Sequence, residues 1–209
     1  MKYTEVGEGA TYDELIEFLL RNDVDLKKFE EKSILSSHDL HYDITKKETI
    51  LAIDGNTGLI TQMAHRVRMV TVYEIFWLHE LKRVYPKGTV DKKGLWISGS
   101  RIRGQSTIKT ALREWEEEAG LCLSRNQVNE KVLADQVGPP KLRRSTVYDD
   151  IYTRETVEWV VGILKEAPSW LGQTRVVPDR RADLHLAWHR GNEFTGYLQL
   201  LTDSANSGL

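Results

Sequence analysis

The sequence has only one cysteine among its 209 residues, Cys122, so no disulfide can form within the chain. A protein without disulfides fits a reducing compartment. Cys122 follows a predicted helix end without an activating neighbour, and we expect it to be a buried, small apolar residue rather than a nucleophile. No apolar run reaches about 18 residues, and the N-terminal residues lack the apolar core of a secretory signal. We expect a cytoplasmic protein that does not span a membrane.

A large excess of charge of either sign is also lacking, since the formal net charge is −2. Charged residues make up 29% of the chain and hydrophobic residues 40%. This composition is typical of a globular protein, and the pairs Arg143–Arg144 and Arg180–Arg181 do not amount to a nucleic-acid surface. There is no internal repeat. We expect a helical N-terminal extension over residues 1–45, one main domain over 46–203 and a flexible tail over 204–209.

The most informative stretch runs from Gly99 to Leu121, GSRIRGQSTIKTALREWEEEAGL. It predicts a glycine-containing loop and then a helix that begins at Ser106 or Thr107 and stops at Gly120. Apolar residues recur there at steps of three and four, which predicts one face packed on the core. This face consists of Ile108, Ala111, Leu112, Trp115 and Ala119.

A second face of the same helix is acidic, because Glu114, Glu117 and Glu118 lie within about one turn. None of the three has a Lys or Arg four residues later, and like charges at this spacing cost roughly 0.2–0.5 kcal/mol per pair. An ordinary solvated acidic surface is one interpretation. A hard divalent cation, which takes oxygen ligands and removes the repulsion, is the other.

At these residues the stretch resembles the Nudix hydrolase box, G-x5-E-x7-R-E-U-x-E-E-x-G-U, in which U is a bulky apolar residue. Gly99 matches the first glycine, and the later matches are Arg113-Glu114, Glu117-Glu118, Gly120 and Leu121. The resemblance implies an α/β fold, the αβα sandwich around a mixed β-sheet. Two positions depart from the pattern. Gln105 stands where the family has its first glutamate, and Trp115 fills a position that is usually aliphatic.

The resemblance also implies roles for individual residues. It implies that Mg²⁺ or Mn²⁺ is bound by Glu114, Glu117 and Glu118, and that catalysis uses Glu114, Glu117 and Arg113. Arg113 would orient the glutamates, with the Gln105 carbonyl accepting a hydrogen bond from it. The alternative for Arg113 is a plain i, i+4 ion pair with Glu117, which is compatible with that role. Substrate contacts are expected from the box loop, at Gly99, Arg101, Arg103 and Gln105. Glu158 is a candidate additional acid, or else a solvent-facing strand residue without a catalytic role.

Three functions are consistent with these residues. The first is a Mg²⁺-dependent Nudix pyrophosphohydrolase that cleaves a small nucleoside diphosphate derivative. The second, motivated by Gln105, is a non-catalytic nucleotide-binding or regulatory module with the same fold. The third, motivated by the arginine pairs, is a 5′-end RNA pyrophosphatase. We expect a small nucleotide derivative as partner, neither membrane nor nucleic acid, with the N-terminal helix available for a homodimer.

The remaining pattern predicts the other elements of secondary structure. A capping box at Thr11–Glu14 predicts a helix ending near Asn22, and 26–31 a further helical turn. Residues 36–47, with His38 and His41, are expected to form a surface loop rather than a metal site. Strands are predicted over 48–54, 59–63, 66–78, 95–97, 131–137, 147–152, 156–165 and 184–189, with a loop over 168–178 and a last helix over 191–201.

Overall fold

The computed structural model describes residues 5–88, 90–92, 96–134, 140, 142–178 and 181–191. These residues form four helices and eleven strands, which confirms the predicted α/β class. The helices are α1 Tyr12–Arg21, α2 Leu26–Lys32, α3 Ser37–Thr45 and α4 Thr107–Ala119. The strands are β1 Glu5–Val6, β2 Thr49–Ile53, β3 Ile60–Tyr73, β4 Phe76–Val84, β5 Val90–Lys92, β6 Ile97–Ser100, β7 Val128–Ala134, β8 Leu142–Arg144, β9 Tyr152–Leu164, β10 Thr174–Pro178 and β11 Asp183–Arg190. No helix in these ranges is long and apolar enough to cross a membrane.

Two compact units divide the chain, and the first consists of the described residues within Met1–His65, Ser100–Gly104 and Pro139–Thr156. In this unit β2 pairs antiparallel with β1 on one side and with the beginning of β3 on the other, and β8 pairs with the beginning of β9. Helices α1 and α2 lie where the sequence predicted them, and the Thr11–Glu14 capping box is confirmed. The separate N-terminal extension stays a prediction.

The predicted surface loop over 36–47 is wrong, because these residues form helix α3. Its N-terminus is a second capping box, in which the Ser36 side chain accepts from the Asp39 backbone and the Asp39 side chain accepts from Ser36. His38 stacks on the Tyr12 ring at a centroid distance of 4.1 Å, and His41 Nε2 donates to the Ala10 carbonyl at 2.9 Å. Both histidines are therefore part of helix packing.

The second unit consists of the described residues within Arg66–Gly99, Gln105–Gly138 and Val157–Leu209. Its strands follow the order β3-β4-β11-β10, with β5 on β4 and β7 on β9, and the defined pairs are antiparallel. One face of α4 packs on the buried face of these strands. As predicted, Ala111, Trp115 and Ala119 are buried there, and Ile108 and Leu112 are partly buried against them.

Several predicted strand boundaries are wrong. The run 66–78 is not one strand, because a turn at Glu74 and Ile75 separates β3 from β4, and Glu74 adopts φ +50°. Residues 147–151 form bends and a turn before β9, which begins at Tyr152, and the predicted loop 168–178 contains β10. Strand β7 begins at Val128, earlier than predicted. The predicted last helix beyond residue 191, the tail 204–209 and residues 95 and 135–137 lie outside the described residues.

Candidate functional site

The acidic face belongs to a helix whose two ends are fixed by local hydrogen bonds. Ser106 caps the beginning of α4, where its hydroxyl accepts from the Lys109 amide at 3.2 Å. Gly120 ends it in the left-handed conformation at φ +60°, with its amide donating to the Glu116 carbonyl at 3.0 Å. The glycine position is therefore confirmed in its structural role, because a side chain would strain this backbone.

Arg113 joins two of the three glutamates on the acidic face. Its Nη2 donates to Glu114 Oε1 at 2.5 Å, and its Nη1 donates to Glu117 Oε2 at 3.0 Å. We call these three residues the Arg113 group. The Glu114 side chain is only 6% exposed, whereas that of Glu117 is 53% exposed. One guanidinium thus brings together a buried and a solvent-facing carboxylate.

Gly99 makes room for the buried carboxylate of this group. A Cβ added at residue 99 would lie 1.8 Å from the Glu114 Cδ and 2.0 Å from its Oε2. Such distances are far below van der Waals contact, so any side chain at position 99 would displace the carboxylate. The glycine at the beginning of the box therefore permits its backbone to lie directly against Glu114.

The third glutamate, Glu118, has a different partner. Its Oε2 accepts from Arg83 Nη2 on strand β4 at 2.6 Å. Arg83 also donates to both oxygens of Glu80, from Nε at 2.9 Å and from Nη2 at 3.2 Å. We call Glu80, Arg83 and Glu118 the Arg83 group. Burial works to lower the pKa of the Arg83 guanidinium, but the negative charges of Glu118 and Glu80 outweigh it and raise this pKa above its ordinary value.

A β-bulge brings Glu80 and Arg83 to the same face of β4. Residues three apart in a regular strand point to opposite faces. In this strand Glu80 pairs with Leu186 and Arg83 with Leu184, so three steps on β4 match two steps on β11, and Leu81 is the extra residue. Since Leu184 and Leu186 both face the core under α4, Glu80 and Arg83 face it too. Sequence reasoning missed both residues.

The carboxylates differ in their fitness to hold a metal ion. Within the described ranges, no group of three or more His, Cys, Asp or Glu residues is arranged to hold one. Mg²⁺, however, is commonly bound through one or two carboxylates together with substrate phosphates and waters. Glu114 and Glu117 share one guanidinium, and the backbone of Gly99 lies against Glu114. This donor set fits such an ion.

Other predicted site residues lie elsewhere. Gln105 Oε1 accepts from Thr110 Oγ1 at 3.4 Å, not from Arg113 as expected. Glu158 accepts from the Thr107 hydroxyl at the first turn of α4. Thr107 is seven residues before Glu114, about 10 Å along the helix axis. The role of Glu158 as an additional acid stays a prediction.

Arg101 and Arg103 belong to the first unit, where their backbone amides donate to the His65 and Lys47 carbonyls at 2.8 and 3.0 Å. Their substrate contacts stay a prediction. The predicted burial of Cys122 is wrong, because this thiol is exposed and donates to Glu116 Oε1 at 3.1 Å. That hydrogen bond and the Glu116 charge raise the pKa of Cys122, which disfavours the reactive thiolate.

Trp115, the second departure from the box, is accommodated by two neighbouring residues. Its indole Nε1 donates to Thr71 Oγ1 at 2.7 Å, so the polar atom of this fully buried side chain has a partner. A Cβ added at Gly162 on β9 would lie 2.4 Å from the Trp115 ring. Absence of a side chain at 162 therefore provides the space that the larger residue requires.

Comparisons with known proteins gave structural likenesses at low sequence identity. No family model matches the chain, and no curated protein matches it in sequence. Among solved structures, it is similar to an ADP compounds hydrolase, with TM-score 0.36 and 16% identity over 72% of this chain and 73% of that one. It is also similar to a NUDIX family hydrolase from Clostridium perfringens, with TM-score 0.33 and 14% identity over 68% of this chain and 95% of that one.

Proposed function

We propose that the protein is a Mg²⁺-dependent hydrolase of the Nudix type, which cleaves the diphosphate of a small nucleoside diphosphate derivative. The observation that carries this proposal is the Arg113 group, in which one arginine bonds both Glu114, which lies against the backbone of Gly99, and the solvent-facing Glu117. These four residues occupy the matching positions of the box. Substrate phosphates would complete the oxygen ligands of the ion.

The ion, when bound, supplies charge neutralisation at the phosphates and lowers the pKa of a water ligand. The other contributions come from the chain itself. Arg113 keeps two carboxylates side by side by offsetting their repulsion, and Gly99 leaves the space in which Glu114 is held. Glu117 uses Oε2 to accept from Arg113 and faces solvent, so its Oε1 is available to accept a proton from the attacking water.

Turnover on a substrate panel tests this function. The panel comprises nucleoside triphosphates, ADP-ribose, NADH, dinucleoside polyphosphates and capped RNA, each with Mg²⁺ or Mn²⁺. We expect metal-dependent release of a nucleoside monophosphate product and a loss of at least about 100-fold in Glu117→Gln. Glu116→Gln is the matched control, because Glu116 lies on the same helix turn, is exposed and contacts Cys122 instead of Arg113. Equal effects of the two variants would contradict the assignment.

A non-catalytic nucleotide-binding module is the second candidate, and Gln105 favours it. The glutamine carries no charge and its carbonyl accepts from Thr110, so it does not brace Arg113 as the family's first glutamate does. This candidate predicts nucleotide binding by calorimetry without turnover on any member of the panel. Gln105→Glu would then be expected to increase turnover, since a second acceptor with charge would orient the guanidinium.

A further inference from the structure

We propose that Arg68, Trp96 and Trp159 form a second ligand-binding site, which takes a phosphate or carboxylate group of a small molecule. We call these three residues the Arg68 cluster. All belong to the second unit, with Arg68 on β3, Trp159 on β9 and Trp96 directly before β6. The site goes beyond the proposed function and does not depend on it, because it needs no metal ion and no residue of α4.

The Arg68 side chain projects from the face of β3 that points away from α4. Its neighbours Val67 and Met69 are buried in the same core cluster as Trp115 of α4. Successive residues of a strand point to opposite faces, so Arg68 lies on the other face of the sheet. The Arg68 cluster is therefore separate from the acidic face of α4.

The two tryptophans hold the Arg68 guanidinium in one place. Trp159 is buried in an apolar cluster with Val70, which is on the same face of β3 as Arg68, and Trp96 packs against that cluster. Arg68 Cζ lies over both indole rings, 5.5 Å from the Trp96 centroid and 5.4 Å from the Trp159 centroid. The two rings meet edge to face at 5.1 Å. Because two rings already restrict this side chain, it loses little conformational entropy when it binds a ligand.

Hydrogen-bond donors of the Arg68 cluster lack acceptors within the described part of the chain. No carboxylate or carbonyl there accepts from the Arg68 guanidinium, whose contacts are the two rings. The Trp159 indole N–H also has no acceptor among the described residues, although Trp159 is only 4% exposed. Buried polar groups in native proteins are nearly always hydrogen-bonded, to the protein itself or to a bound molecule. Two such donors on side chains in contact point to a ligand rich in acceptors.

An oxyanion is the ligand class that this donor set fits. A guanidinium carries a permanent positive charge and a planar fork of N–H groups, which matches two oxygens of a phosphate or a carboxylate. Arg68 is half-buried, so its attraction for an anion is less weakened by water than at an exposed position. Arg66, two residues earlier on the same face of β3, adds positive charge.

Arg175 on β10 provides a comparison within the same unit. It lies over one ring, that of Trp170, at 5.7 Å, and it is exposed. Water therefore competes for its N–H groups and screens its charge. We expect an anion to bind at Arg68 and not at Arg175.

Nuclear magnetic resonance of the full chain, labelled with ¹⁵N at its six tryptophan indoles, tests the proposal. Inorganic phosphate or acetate is added in EDTA at constant ionic strength, and single Trp→Phe variants assign the signals. We expect saturable shifts of the Trp96 and Trp159 indole signals. The signal of Trp115, whose indole is bonded to Thr71 on the α4 side, should stay unchanged.

Two arginine variants separate a specific site from general attraction by charge. Arg68→Lys keeps the positive charge but loses the planar fork, so binding should weaken by at least about tenfold. Arg175→Lys is the matched control and should leave the affinity within about twofold. Equal losses in the two variants would overturn the proposal.

The two anions distinguish the source of the oxyanion. A saturable response to phosphate supports a phosphate-bearing ligand, and one to acetate supports a carboxylate ligand. Absence of saturation with both anions overturns the proposal. Should Arg68→Lys fail to fold, the shifts at Trp96 and Trp159 in the natural chain still decide. None of these results bears on the proposed hydrolase function, which is tested by turnover in Glu117→Gln.

Discussion

The Arg113 group and the Arg83 group have the same composition, one arginine and two glutamates, and both reach the C-terminal half of α4. They differ in solvent access, since the Arg113 group includes a carboxylate that faces water and the Arg83 group is buried. A charged side chain in water is screened and gains little from any one partner, whereas a buried charged side chain is strongly destabilising when its partner is removed. The comparison teaches that one set of residue types can leave a carboxylate open to solvent at one place and form a buried ion cluster a few residues away.

The largest expected effect comes from removing the centre of the buried group. Arg83→Met leaves Glu80 and Glu118 without their shared counter-charge, which should lower the free energy of unfolding by about 3–5 kcal/mol at neutral pH. Urea unfolding followed by circular dichroism measures this loss. Arg113→Met is the control, with a smaller expected loss of about 1–3 kcal/mol, because Glu117 stays solvated and Glu114 is the one buried carboxylate of that group. Similar losses in the two variants would remove the distinction between the groups.

The helix that carries both groups is docked through Trp115, which offers a second test. Gly162→Ala would place a methyl group 2.4 Å from the Trp115 ring, and this steric overlap should destabilise the protein by about 1–3 kcal/mol. In a Trp115→Leu background the same change should cost much less, since the ring is gone. The interaction energy is obtained from thermal or urea unfolding of the four proteins in a double-mutant cycle. Strict additivity would show that the two positions are not in contact.

Gly99→Ala acts on the Arg113 group alone. The added methyl group would overlap the Glu114 carboxylate, so we expect Mn²⁺ binding and any turnover to fall by at least about tenfold, with a stability loss of about 1–2 kcal/mol. Gly55→Ala is a matched control, because a Cβ there meets nothing within 4 Å. Unchanged Mn²⁺ affinity in Gly99→Ala would contradict the placement of the ion beside Glu114.

The smallest effect concerns Glu116, a glutamate on α4 that is bonded to a thiol rather than to an arginine. Its hydrogen bond and charge raise the pKa of Cys122, so the thiolate is less populated at pH 8 than for an ordinary cysteine. Glu116→Gln removes the charge and should therefore speed alkylation of Cys122 by iodoacetamide at that pH. Glu117→Gln is the control, and an equal acceleration there would contradict a specific contact.

The sequence predicted the helix, its ends and its buried face, because capping residues and apolar periodicity act locally. For the acidic face it offered two interpretations, a solvated surface or a bound divalent cation. It did not predict that Arg83 supplies this charge, since strand alternation places Glu80 and Arg83 on opposite faces unless a bulge intervenes. The sequence also did not predict the turn at Glu74. A non-glycine residue at positive φ gives little signal in the sequence.

The bulge at Leu81 makes the Arg83 group depend on the spacing of Glu80 and Arg83 in β4 as well as on the residues themselves. Deleting Leu81 would leave Arg83 two positions after Glu80, so a regular strand would also place both side chains on one face. A glutamate and an arginine can therefore form this pair either two positions apart in a regular strand or three positions apart across a bulge. Distant sequences can be sorted for the Arg83 group by these two spacings, counted from the turn that precedes β4.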